Sequence, residues 1–139
     1  MELTELERIR LNKIERMRAA GQEAYPTRAN PTHTIQEATQ AFEQAEAGGG
    51  DPSPLEVTLA GRLRSIRLMG KLGFAHIEDG SGRLQIMLRV NELGEERLNA
   101  FREDFDLGDF IEASGSLMRT RTGEITLLAQ DFRMLAKAI

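Results

Sequence analysis

The segment Gly48-Gly49-Gly50-Asp51-Pro52-Ser53-Pro54 constrains this chain most, because neither helix nor strand is sustained through it and the hydrophobic period changes across it. Before it, apolar residues recur every three or four positions; after Leu55 they recur at every second one. The sequence therefore divides into a helical arm with its linker, residues 1–54, and a β domain, residues 55–139. A chain of 139 residues has room for one compact core and an appendage, but not for a large second domain.

In the arm, Leu3, Leu6, Ile9, Lys13, Ile14 and Met17 follow a helical rhythm, which predicts an amphipathic helix from Leu3 to Ala20 stopped at Gly21. Tyr25-Pro26 and Asn30-Pro31 then force a loop, since a residue before proline is pushed out of the α region. Thr34 and Glu37 have capping-box spacing, so a second helix should begin there and bury Ile35, Ala38, Phe42 and Ala45.

In the β domain, Val57, Leu59 and Leu63 alternate with Thr58, Ala60, Arg62 and Arg64, giving a strand with one apolar face and one that becomes basic. Ala75 and Ile77 alternate with Phe74, His76 and Glu78 in a second strand. Asp79-Gly80-Ser81-Gly82 supplies hairpin chemistry into a third, where Leu84, Ile86 and Leu88 share one face and Gln85, Met87 and Arg89 the other. From Asn91 to about Phe105 the period is helical again, with Leu98, Phe101 and Phe105 on the apolar side. Ile111, Ala113, Gly115 and Leu117 mark a fourth strand, and Thr122-Gly123 turns the chain into a fifth through Ile125 and Leu127. Five strands with a helix between the third and fourth is the element order of the OB-fold, a small, partly open Greek-key barrel; an SH3-like barrel normally lacks that helix. The expected class is mainly β, an OB-fold barrel behind an α-helical N-terminal arm.

Composition excludes several functions. The apolar share of 40% and charged share of 29% suit a globular protein, and no apolar run is long enough to span a bilayer. The acidic N-terminus lacks the basic and apolar regions of a secretory signal, so a cytoplasmic protein without a membrane partner is expected. With no cysteine and only His33 and His76, neither a disulfide framework nor a metal site is expected. No phosphate loop, nucleophile elbow or zinc-protease motif occurs, and His76 with Glu78 lacks a nucleophile, so the chain alone should not be an enzyme and should need no cofactor. A net charge of −4 opposes indiscriminate DNA binding, yet charge is segregated. Arg62, Arg64, Arg67, Lys71, Arg83 and Arg89 face only Glu78 and Asp79 between positions 62 and 89, whereas eight acids meet two arginines between Glu92 and Glu112. Charge runs are more often solvated faces than binding patches, so other residues must decide.

Those residues are on the exposed face of the second and third strands, the nucleic-acid surface of an OB-fold together with the loops after strands one and four. Phe74 and His76 are predicted there, Gln85 on the paired strand, Arg62 and Arg64 on the neighbouring one, and Glu124 at the rim. Aromatics stack unpaired bases, amides bond to base edges, and arginines meet phosphate or carbonyl oxygen. A single phenylalanine is more often core, but the parity of Phe74 against Ile77 opposes that. Gln85, Glu124 and the two arginines could each equally be ordinary exposed residues; only their coincidence points to single-stranded RNA.

The arm stretch from Arg10 to Gly21, Tyr25-Pro26-Thr27-Arg28 and Thr32-His33-Thr34-Ile35 resemble the N-terminal arm of bacterial-type lysyl-tRNA synthetases. Ala60-Gly61-Arg62 through Phe74, Asp79 through Gln85, Leu107-Gly108-Asp109 and Thr122-Gly123-Glu124 resemble that family's anticodon-binding barrel in order and spacing. Nearly the whole chain is covered; Leu72-Gly73 and the glycine-rich linker depart from the pattern. The resemblance implies that Phe74 stacks on an anticodon base, that Gln85 and either Arg62 or Arg64 hydrogen-bond to it, and that Glu124 contacts a neighbouring uridine. It implies a lysine-tRNA anticodon loop as partner and an arm near a dimer interface, so the arm should dock on its own barrel or pair chains into a homodimer. The class II catalytic domain that follows in the family is absent from this sequence, and with it the ATP, magnesium and lysine sites. A free-standing OB-fold module binding single-stranded nucleic acid is the alternative, and an assembly module built on the arm is a third.

Overall fold

The computed structural model describes residues 6–9, 13, 29–49 and 55–138. Five strands, β1 (Glu56–Met69), β2 (Leu72–Glu78), β3 (Arg83–Arg89), β4 (Phe110–Arg119) and β5 (Ile125–Ala136), pair in the order β1-β2-β3-β5-β4 and close on β1. Helix α1 (Ile35–Ala47) precedes β1, and α2 (Val90–Asp104) lies between β3 and β4, as the change of period predicts. Every pairing is antiparallel except β3 with β5, which is parallel through Gln85–Thr126, Ile86–Leu127 and Met87–Leu128. That last pairing closes the barrel, where a partly open one was expected.

Alternation places the core. Ala75 and Ile77 on β2 and Leu84, Ile86 and Leu88 on β3 are buried, and their neighbours face outward. They meet Leu59, Leu63, Ile111, Leu117 and Leu127 inside. Phe101 and Phe105 stack at 5.0 Å, and Phe132 meets both edge-on, attaching α2 to β5. Gly115 sits where β4 crosses close to β5: a Cβ there would lie 2.0 Å from the Leu128 carbonyl oxygen, so no other residue fits without backbone movement. Gly94, at φ 83°, breaks the helical dihedrals near the start of α2, a conformation that L side chains rarely adopt.

Helix α1 joins the same core through Ile35, Ala38 and Phe42. The predicted capping box forms: Thr34 Oγ1 accepts from the Glu37 N–H, and Glu37 Oε1 from the Thr34 N–H. The β2–β3 turn completes the cap. Asp79 Oδ2 accepts from the Ile35 N–H and Ser81 Oγ from the Gln36 N–H, while the Ala38 N–H reaches the Thr34 carbonyl. All four free N–H groups of the first turn are thereby satisfied.

Within the predicted first helix, residues 6–9 and 13 are helical, and the rest lies outside the described residues, as do the Tyr25-Pro26 turn and residues 50–54. Leu6 and Ile9 are about half exposed, whereas Lys13 is buried against Asp106. Of the described residues of this first helix, Lys13 thus meets the barrel as a cation. No helix among them is long and apolar enough to cross a membrane.

Candidate nucleic-acid interface

The outer face of β2 continues onto β1, β3 and β5 as two cross-strand rows. Ser65, His76, Gln85 and Thr126 stand in register in one, and Arg67, Phe74, Met87 and Leu128 in the other. The turn from Thr120 to Glu124 rises beside them, and together they enclose an open groove of about 590 Å³. Phe74 lies on this outer surface, half buried, and lines the groove with Met87. The groove thus offers an aromatic and apolar floor with polar groups along one side.

The polar groups are held by one another. His76 Nδ1 is 2.7 Å from Ser65 Oγ and its Nε2 is 2.9 Å from Glu124 Oε1, so the imidazole bridges β1 to the β4–β5 turn. Glu124 is further fixed by its main chain, whose carbonyl accepts from the Thr120 N–H and from Thr126 Oγ1, and whose N–H donates to Thr120 Oγ1. Gln85 Nε2 donates to Thr126 Oγ1 at 3.0 Å. Arg67 and Arg121 also line the groove, and their side chains have no hydrogen bond or ion pair among the described residues.

Of the residues singled out in the sequence, Phe74, His76, Gln85 and Glu124 are brought together here; Arg62 and Arg64 are not. The Arg62 guanidinium lies over the Phe110 ring at 4.4 Å, and Arg64 pairs with Glu78 at 3.2 Å. Arg62 stands opposite Glu78 at the far end of β2 from Phe74, and Arg64 is displaced by a bulge in β1. Its register with β2 shifts between Leu63 and Ser65, at the point where β1 leaves β4 for β2 and where Leu63 exchanges backbone hydrogen bonds with Gly108 and Asp109. One extra residue reverses the alternation. Val57, Leu59 and Leu63 point inward before it, and Ile66 and Leu68 after it, so the outward basic residue beside Phe74 is Arg67. The signal was present as two polar residues, Arg64 and Ser65, between Leu63 and Ile66. His76 likewise pairs with Glu124, while Glu78, its neighbour in the sequence pattern, is taken by Arg64.

A second polar cluster lies at the 106–109 corner. Lys137 Nζ donates to Asp109 Oδ2 at 2.5 Å and to Asp106 Oδ2 at 2.8 Å, and Lys13 Nζ donates to both Asp106 oxygens at 2.8 Å. Burial alone would raise the Asp106 pKa, but the two lysines outweigh it and hold the carboxyl below its ordinary value. Among the described residues no group of His, Cys, Asp or Glu is arranged to hold a metal.

Residues 57–135 match the family model described as OB-fold nucleic acid binding domain. The chain is also similar to the lysine–tRNA ligase of Roseiflexus castenholzii, at 47% identity over all of this chain and 28% of the relative. That of Chloroflexus aurantiacus is 43% identical over the same shares, and that of Dehalococcoides mccartyi 40% over 94% of this chain and 26% of the relative. The chain thus spans little more than a quarter of the length of these relatives.

Proposed function

The chain belongs to the family of OB-fold nucleic acid binding domains, and from that premise we propose that its groove holds the anticodon loop of a lysine tRNA as part of a lysine–tRNA ligase. The observation that carries the reading is the outward Phe74, set in one groove with Gln85, Glu124 and the guanidinium of Arg67, which has no partner among the described residues. A base stacked on Phe74 presents its edge to Gln85 and Arg67. Uracil suits them: its imino N–H meets an amide oxygen while its carbonyl accepts from arginine. Glu124, held by His76, offers a carboxylate acceptor to the imino group of a neighbouring uridine. Arg121 lies at the groove wall, where a phosphate of the loop would follow. Arg67 takes the role for which Arg62 and Arg64 were the sequence candidates. Adenylation, with its ATP and magnesium, belongs in this reading to the rest of such an enzyme, so the isolated chain should show no lysine-dependent pyrophosphate exchange.

The test is titration with anticodon stem-loops differing only at the central base. Uridine should be preferred to cytidine by about 1–3 kcal/mol, the usual discrimination of a hydrogen-bonded base site. Equal affinity for both, matched by oligo-dT, would point to the general single-strand binder instead. The exposed Leu6 and Ile9 favour pairing of arms between chains as a second element of the proposal. Sedimentation showing a monomer at every concentration would remove it.

A further inference from the structure

We infer that Thr126 is a specificity-determining residue: its buried hydroxyl locks the Gln85 amide so that only the oxygen faces a bound base. Thr126 is fully buried beneath the groove and stands in register with Gln85 across the parallel β3–β5 pairing. A hydroxyl has one proton to give. Here Thr126 Oγ1 donates it to the Glu124 carbonyl at 3.1 Å, so toward Gln85 the oxygen can only accept. The group it meets at 3.0 Å is the Gln85 amide nitrogen. The two ends of a glutamine amide have nearly the same shape and opposite hydrogen-bonding character, and the surrounding network decides which is presented. With the nitrogen turned to Thr126, Oε1 is left for the groove as an acceptor.

The consequence is a filter. An acceptor in a fixed position takes a base whose ring nitrogen carries a proton, as in uridine, and sets a lone pair against the bare N3 of cytidine. An unlocked amide could rotate and offer its NH2 to cytidine instead. Thr126 therefore acts through Gln85, as a positioning residue that touches no base. It ties the same hydroxyl to the main chain of Glu124, so one buried group aligns the acceptors proposed for two neighbouring nucleotides. This rests on the proposed seating of an anticodon uridine against Gln85.

The experiment compares Thr126→Val, which keeps the shape and loses the hydroxyl, with Thr126→Ser, which keeps the hydroxyl. Stem-loops with central uridine or cytidine are titrated against each and against the unaltered chain. The unaltered chain and Thr126→Ser should prefer uridine by about tenfold or more, and Thr126→Val by about threefold or less, through gained cytidine binding at an unchanged salt slope. A merely structural role would weaken both loops alike. Uridine preference retained in folded Thr126→Val overturns the lock while leaving the anticodon reading standing; no preference in the unaltered chain removes both. Should Thr126→Val not fold, NMR of the unaltered chain bound to the uridine loop decides. Contacts from the Gln85 NH2 protons to the Thr126 methyl support the lock, and contacts from those protons to the base overturn it.

Discussion

Two polar clusters of the barrel, the 106–109 corner and the groove, differ in what is left over. At the 106–109 corner, Asp109 and Lys137 have fully buried side chains, and the Asp109 oxygens also accept the main-chain N–H groups of Asp106 and Ala138. Every strong group there is spent inside the protein. In the groove, His76, Gln85 and Glu124 are also hydrogen-bonded, but the His76 and Glu124 side chains remain 28% and 45% exposed. Gln85 keeps an unspent oxygen, and the Arg67 and Arg121 side chains have no partner among the described residues. A saturated cluster reads as architecture, whereas exposed groups with surplus donors and acceptors are what a binding surface needs.

The sharpest way to break the contrast is Lys137→Ala. Removing one partner of a buried pair leaves Asp109 charged and unpaired, at a cost of about 3–5 kcal/mol of stability. Denaturant unfolding should show that loss, with base preference unchanged in whatever fraction remains folded; a loss below about 1 kcal/mol would erase the distinction between the clusters. Phe74→Ala should behave in the opposite manner. Losing a stacking platform costs about 1–3 kcal/mol of stem-loop affinity, and thermal unfolding should barely move. Were Phe74 a core residue, the cost would instead be about 3–5 kcal/mol of stability.

Smaller effects discriminate within each cluster. Arg67→Ala should weaken stem-loop binding about tenfold, while Arg64→Ala, already paired with Glu78 at the surface, should change it by no more than about twofold. The reverse ranking would return the arginine role to Arg64, the residue at the bulge. Acid should act on the corner through Asp106. Because the lysines hold the folded Asp106 pKa below the unfolded one, its contribution is complete above about pH 4 and is lost as pH falls through the folded value. Backbone signals of Lys13 should therefore respond only in strong acid, and Asp106→Asn should abolish that step; a transition near neutrality would contradict the assignment.

The period-two patterns of β2 and β3 made the outward position of Phe74, His76 and Gln85 legible, because on a strand parity follows directly from which neighbours are apolar. Parity was misleading on β1, where counting straight through Leu63 missed the bulge and pointed to Arg62 and Arg64. Nothing local marked Thr126, which reads as an ordinary β-former; its role comes from a parallel pairing with Gln85, 41 residues away. The corner was equally hidden, since Leu107-Gly108-Asp109 looks like a turn and its partner Lys137 lies 28 residues further on. Contacts that close a barrel are the ones a linear pattern cannot display.

The most direct measurement is a backbone NMR titration of the chain with a uridine-centred lysine anticodon stem-loop, because it reports on both clusters in one experiment. Resonances of Arg67, Phe74, His76, Gln85 and the Thr120–Glu124 turn should shift together, while those of Asp106, Asp109 and Lys137 stay in place. Shifts centred on the 106–109 corner, with the groove silent at saturation, would contradict the account.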